Sequence, residues 1–132
     1  MRRLPRACQK GDRVAVIAPA SPFRPELLLA GCELLKSWGL EPVYSPEIME
    51  RWGYLAGQDS FRAKSLLDAF DDPSIRAIIC ARGGYGIHRI LEQIDFAKLA
   101  KRPKRFIGFS DLTLFHQALY QKTDYLSFHG PM

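Results

Sequence analysis

Residues 105–116, RFIGFSDLTLFH, set one serine, Ser110, between an apolar run and an apolar-periodic segment. A strand that stops at a small polar residue and turns at once into a helix can present a serine hydroxyl as a nucleophile. The N–H of Asp111, at the start of that helix, could then donate to a developing oxyanion. The helix dipole, equivalent to roughly half a positive charge, adds to that. The hydrolase pattern G-x-S-x-G is met only in part, because its second glycine is missing. A helix cap accounts for the same residues, with Ser110 at the N-cap and Asp111 in the first turn. Local sequence alone tilts toward the cap.

The stretch RGGYG, residues 82–86, is a second candidate. Gly83 and Gly84 permit positive φ and close backbone approach. Free N–H groups at the start of a helix can hold an anion or an oxyanion. A tight turn without a ligand explains two glycines equally well. No Gly-Lys-Ser/Thr follows, and the spacing does not fit G-x-G-x-x-G, so nucleotide binding has weak support. Arg82 and Tyr85 are candidates for lining a cleft, with a structural role for each equally open.

A nucleophilic serine needs a base, and the chain has three histidines. His116 falls about one and a half turns into the same helix as Ser110, so the two side chains should not meet. His88 should face solvent. His129, at the exit of the last strand, is a candidate for lining the cleft. No Ser-His-acid set is evident within the chain. Either Ser110 is not a nucleophile, or its partners lie elsewhere.

The elements that must position these residues follow from hydrophobic periodicity. Short apolar runs at 13–18, 41–45, 75–81, 105–109 and from 125 read as strands. Between them, Leu27, Leu28, Gly31, Leu34, Leu35 and Trp38 fall at helical spacing, with Gly39 as the expected C-cap. Ala63, Leu66, Leu67 and Phe70 form a second stripe, capped by Asp59 or Ser60. Ile87, Ile90, Leu91 and Ile94 give a short third, and Leu112, Phe115 and Leu119 a fourth. Continuous apolar strands alternating with helices predict an α/β fold. The expected form is a three-layer, doubly wound, mostly parallel sheet with helices on both faces, flavodoxin- or Rossmann-like. Ligands bind such sheets outside the carboxyl ends of the strands. The loops PASP (with Ser21), RGGYG and SDLT should therefore open on one edge and build one cleft.

Composition bounds the function classes. A chain of 132 residues with 47% hydrophobic and 25% charged residues suits a single folded domain, residues 1–132. The net charge is +5, but the basic residues are scattered apart from KRPKR (101–105), which reads as a solvated loop. No nucleic-acid partner is expected. Cys8, Cys32 and Cys80 have no metal spacing and no even disulfide count, which favours a reducing compartment. The N-terminus has no apolar signal core, and no run approaches the roughly 18 apolar residues of a membrane span. A cytoplasmic location with no membrane partner is expected.

The blocks GDRVAVIAPASP, AIICARGGYGIHRIL, IGFSDLTLFHQAL and FHGPM, in this order, resemble the N-terminal half of the LD-carboxypeptidase family of serine peptidases. That family includes the muramoyl-tetrapeptide carboxypeptidases and the microcin-immunity peptidases. The resemblance runs from about residue 11 to residue 132. It implies that Ser110 is the nucleophile. It also implies an oxyanion hole of the Asp111 N–H with Gly83 or Gly84. The family's catalytic Glu and His lie in a C-terminal domain that this chain lacks, so the chain alone should be inactive. The implied substrate is a cytoplasmic murein tetrapeptide that loses its terminal D-alanine, and no metal or other cofactor is implied. The surface that would meet the absent domain should be sticky, with self-association into a homodimer one consequence. A small-ligand or anion-binding module, with Ser110 only a cap, and a non-catalytic partner of another chain stay open.

Overall fold

The β-branched run RVAVI forms β1 (Arg13–Ile17). Its side chains alternate between two cores, with Val14 and Val16 on one side and Ala15 and Ile17 on the other. A strand buried on both faces belongs in the interior of a covered sheet, and β1 lies there, flanked by a strand on each side. The computed structural model describes residues 1–130. It contains one five-stranded sheet in the order β2-β1-β3-β4-β5, with β2 (Glu41–Val43), β3 (Ile75–Cys80), β4 (Arg105–Gly108) and β5 (Phe128–His129). Every neighbouring pair is parallel.

Helix α1 (Pro25–Ser37) packs Leu28, Cys32 and Leu35 on the Val14/Val16 face. The other face carries α2 (Asp59–Asp71), α3 (Phe96–Lys101) and α4 (Thr113–Thr123). Phe106 of β4 and Phe115 of α4 lie at the heart of that side, with ring centroids 4.6 Å apart. Both are fully buried, and each such side chain contributes about 1.5–3 kcal/mol. The α/β expectation therefore holds, with helices on both faces. The chain steps from β1 outward to β2, then back past β1 to β3. The strand order reverses there, so the topological switch point lies between β1 and β3.

Four local expectations are corrected. The stripe assigned to α1 is rotated: Leu27, Leu34 and Trp38 are 54%, 52% and 63% exposed, because the sheet takes the Leu28–Cys32–Leu35 line. Strand β2 stops at Val43, since Ser45 accepts from the Glu47 N–H and starts a 3-10 turn at Pro46–Met49. Residues 87–94 form two 3-10 turns, Ile87–Arg89 and Leu91–Gln93, not an α-helix. Asp95 then caps a fresh helix, α3, through the Lys98 N–H. Lys104, expected in a solvated loop, is buried, and its ammonium donates to the carbonyls of Asp72 and Ile75.

Candidate functional site

Strand β4 ends at Gly108, and the extended Phe109 leads to Ser110 with φ of +58°. The chain then enters a 3-10 turn (Ser110–Leu112) that runs directly into α4. A left-handed conformation costs a non-glycine residue roughly 1–2 kcal/mol. Ser110 therefore sits at a strained strand-to-helix elbow. The position before the 3-10 turn belongs to Phe109, and the one before α4 to Leu112. Neither carries a side-chain cap bond. The cap role considered for Ser110 is absent, and its exposed hydroxyl is left free of any partner among the described residues.

The glycine loop after β3 lies against this elbow. A β-carbon on Gly83 would lie 2.9 Å from both the Phe109 carbonyl oxygen and Ser110 Cβ, and 3.3 Å from the Asp111 nitrogen. Only a glycine allows main chain that close. The Asp111 carboxylate accepts from the Ile87 N–H at 2.9 Å, which ties the elbow to the loop exit. Among the described residues, the N–H groups of Gly83, Gly84 and Asp111 have no acceptor.

The loop after β1 closes the third side. The Ser21 N–H donates to the Gly83 carbonyl at 3.1 Å, and the Ser21 hydroxyl accepts from the Tyr85 N–H at 2.9 Å. Gly84 has φ of +87°, and a β-carbon there would lie 2.2 Å from Ser21 Oγ. The expectation that Ser21 lines the cleft is corrected: it is 6% exposed and serves as a brace beneath the glycine loop. Arg82 is exposed and spans back to the Pro22 carbonyl at 2.8 Å. Tyr85 is exposed at the rim, edge-on to Tyr54 at 5.2 Å, with its hydroxyl 3.2 Å from His88 Nε2. The three loops named from the sequence thus meet at one edge of the sheet.

The histidines fall as follows. His116 Nε2 lies 2.8 Å from the Gly108 carbonyl, and Nδ1 lies 2.6 Å from Ser127 Oγ. A carbonyl only accepts, so Nε2 carries the proton and Nδ1 accepts from the serine. Burial pulls the His116 pKa below its ordinary value; the Gly108 bond opposes this and His129 adds to it. His116 is a strut between β4 and the approach to β5, turned away from Ser110. His129 is exposed on β5 with its ring 6.5 Å from that of Phe109. Among the described residues, no histidine is hydrogen-bonded to Ser110.

Two features have no local sequence signal. Arg62 is wholly buried beneath the loops, where it bonds three main-chain carbonyls and Asp59. An arginine beside an apolar helical stripe reads as a solvent-facing residue. The loop 51–58 joins the same edge, through the Ala56 N–H on the Ala20 carbonyl at 2.9 Å. Its aromatics and glycines are visible in the sequence, but nothing local gives its destination. Among the described residues, no cluster of three or more His, Cys, Asp or Glu side chains is arranged to hold a metal ion. Among the same residues, no helix is long and apolar enough to cross a membrane.

Fold and edge together define a class: a parallel α/β domain with an uncapped serine at a strained elbow beside a glycine loop. The chain belongs to the LD-carboxypeptidase family, whose N-terminal domain model matches residues 14–130. It is 44% identical to the probable murein peptide carboxypeptidase of Bacillus subtilis, over 97% of this chain and 40% of that protein. Among solved structures it resembles the muramoyltetrapeptide carboxypeptidase of Oxalobacter formigenes, with a TM-score of 0.83 and 37% identity, over 91% of this chain and 40% of that one. It also resembles the MccF-like protein of Bacillus anthracis, with a TM-score of 0.93 and 30% identity, over 98% of this chain and 40% of that one. The chain therefore spans about 40% of the length of the relatives it matches.

Proposed function

We propose that residues 1–132 form the nucleophile-bearing N-terminal part of a serine LD-carboxypeptidase that removes the terminal D-amino acid from cytoplasmic murein tetrapeptides. One observation carries the reading: the Ser110 hydroxyl is free at a left-handed elbow, beside the unpaired N–H of Asp111. Strain of this kind at an exposed serine is the form a nucleophile takes. The similarity to a probable murein peptide carboxypeptidase and to a muramoyltetrapeptide carboxypeptidase supports the substrate class.

In this reading Ser110 Oγ attacks the carbonyl carbon of the L,D-peptide bond, and its proton passes to a base. The carbonyl oxygen becomes an oxyanion, held by the N–H groups of Asp111 and of Gly83 or Gly84. The C–N bond then breaks, and the base returns the proton to the departing D-amino acid. Water attacks the acyl-serine ester and frees the shortened peptide. His88 is engaged with Tyr85, and His116 with Gly108 and Ser127, while His129 makes no bond to Ser110. In this reading, as the family resemblance implies, the base and its orienting acid come from outside residues 1–132. The fragment alone is then inactive, since loss of the catalytic histidine costs roughly 10⁶ in kcat in a serine peptidase such as subtilisin.

The test is labelling by a fluorophosphonate in the full-length natural chain and in its Ser110→Ala variant. The parent should label, and the variant should lose both the label and murein tetrapeptide hydrolysis, the latter by about 10⁴-fold or more. Labelling that survives the substitution removes the peptidase reading.

A further inference from the structure

We infer that Arg62 is a positioning residue for the proposed oxyanion donor, acting through the single peptide group that joins Gly86 to Ile87. This rests on the serine peptidase reading above.

Arg62 is fully buried on α2. A buried charge is tolerated only when its donors are paired. Its Nη1 donates to the Pro19 carbonyl at 2.7 Å and to the Gly86 carbonyl at 3.0 Å. Its Nε donates to the Gly57 carbonyl at 3.1 Å, and Nη2 meets the Asp59 carboxylate. Those carbonyls belong to three different loops: the exit of β1, the 51–58 segment and the glycine loop. Asp59 is held in turn by Arg89, whose Nε donates to it at 2.9 Å. A guanidinium with a fixed fork suits this task, and a one-headed ammonium does not.

The Gly86 carbonyl and the Ile87 N–H are opposite ends of one peptide plane. The carbonyl end points at Arg62, and the N–H end points at the Asp111 carboxylate at 2.9 Å. A cation at one end and an anion at the other polarise the peptide and strengthen both bonds. Asp111 is the residue whose own N–H sits beside Ser110. The path therefore runs from Arg62 through one peptide to the side chain of Asp111, and so to the orientation of its N–H. Releasing Arg62 frees the Gly86 carbonyl to turn, and the Asp111 anchor turns with it. Substrate contact is not involved, so the effect should fall on turnover rather than on binding.

The experiment uses the full-length natural chain with Arg62→Met and Arg62→Lys, each checked for folding by thermal melting. The first readout is fluorophosphonate labelling of Ser110, separated into its first-order rate and its half-saturating concentration. Arg62→Met should lower the rate about 100-fold, the cost of one misplaced oxyanion donor, with half-saturation unchanged. Arg62→Lys should lie between it and the parent, and it decides alone if Arg62→Met does not fold. The second readout, independent of any activity, is amide exchange at Ile87, which should quicken about tenfold in the folded variant. Folded variants that label at the parental rate, or lose label only in proportion to unfolded protein, overturn the inference. Unchanged exchange at Ile87 overturns it as well. A parent that never labels at Ser110 defeats the peptidase reading, and Ile87 exchange then still decides whether Arg62 holds that peptide.

Discussion

Gly83 and Ser110 are packed so tightly that a β-carbon on Gly83 would lie 2.9 Å from Ser110 Cβ. The contact follows from the sheet. Strands β3 and β4 are parallel neighbours, so the loops that leave them emerge side by side. One of these loops must be nearly without side chains if the other is to present a serine. Gly83→Ala places the new methyl against the Phe109 carbonyl and the serine at once. Fluorophosphonate labelling of the full-length natural chain should fall roughly 100-fold. Stability should fall by about 1–3 kcal/mol, the usual cost of overpacking. A variant with parental labelling and an unshifted urea midpoint would show that the loop is not held against the elbow.

The left-handed Ser110 sets stability against activity. Its φ of +58° costs an L-residue roughly 1–2 kcal/mol, and glycine escapes that cost. Glycine loses back about 0.4–1 kcal/mol through the extra freedom of the unfolded chain. Ser110→Gly should therefore be the more stable variant by about 0.5–1 kcal/mol, whereas Ser110→Ala keeps the strain. Both should lose labelling completely. Comparing urea midpoints of the two variants isolates the backbone contribution, since neither retains the hydroxyl. A glycine variant no more stable than the alanine variant would mean that the elbow is not strained.

Much of this edge is legible in the sequence because strand ends and loop composition are local signals. The β-branched runs mark the strands, and parallel pairing then brings PASP, RGGYG and SDLT together without any contact being known. Ser110 is the harder case. N-cap and elbow use the same residue types, and only a backbone angle separates them. Ser21 reads as a cleft residue because it is polar and lies in a loop. Its hydroxyl instead serves the Tyr85 N–H, a partner 64 positions away. Arg62 is invisible for the same reason: its acceptors are main-chain carbonyls at Pro19, Gly57 and Gly86, and carbonyls have no sequence signature. The α1 stripe fails because apolar residues ring much of that helix, so periodicity alone does not select the buried line.

His116 should make the domain acid-sensitive. Its half-buried ring holds Gly108 and Ser127 in the neutral form, and its folded pKa lies below the ordinary 6.5. The unfolded chain therefore takes up the proton first as the pH falls. Stability is fully present above about 6.5 and is lost as the pH drops below it. His116→Gln keeps a donor for the Gly108 carbonyl but cannot titrate. Urea midpoints from pH 7.5 to pH 5 should fall more steeply for the parent than for this variant. Parallel curves would show that His116 is protonated as easily in the fold as outside it.

Lys104 should act in the opposite pH range. Burial beneath α2 and β3 pushes its pKa down to about 8 from 10.5, against the attraction of Asp72. Between those two values the unfolded chain holds a proton that the folded chain has released. Stability then rises with pH across that window, by up to about 3 kcal/mol at 1.36 kcal/mol per pH unit. Below pH 8 the ammonium stays charged, and its bonds to the carbonyls of Asp72 and Ile75 offset part of the burial cost. Lys104→Met removes the titrating group and leaves those carbonyls without their donor. Urea midpoints at pH 7.5 and pH 10 should therefore diverge, with the parent gaining on the variant at the higher pH. An equal difference at both values would mean that Lys104 keeps its proton throughout and is solvated in the folded chain.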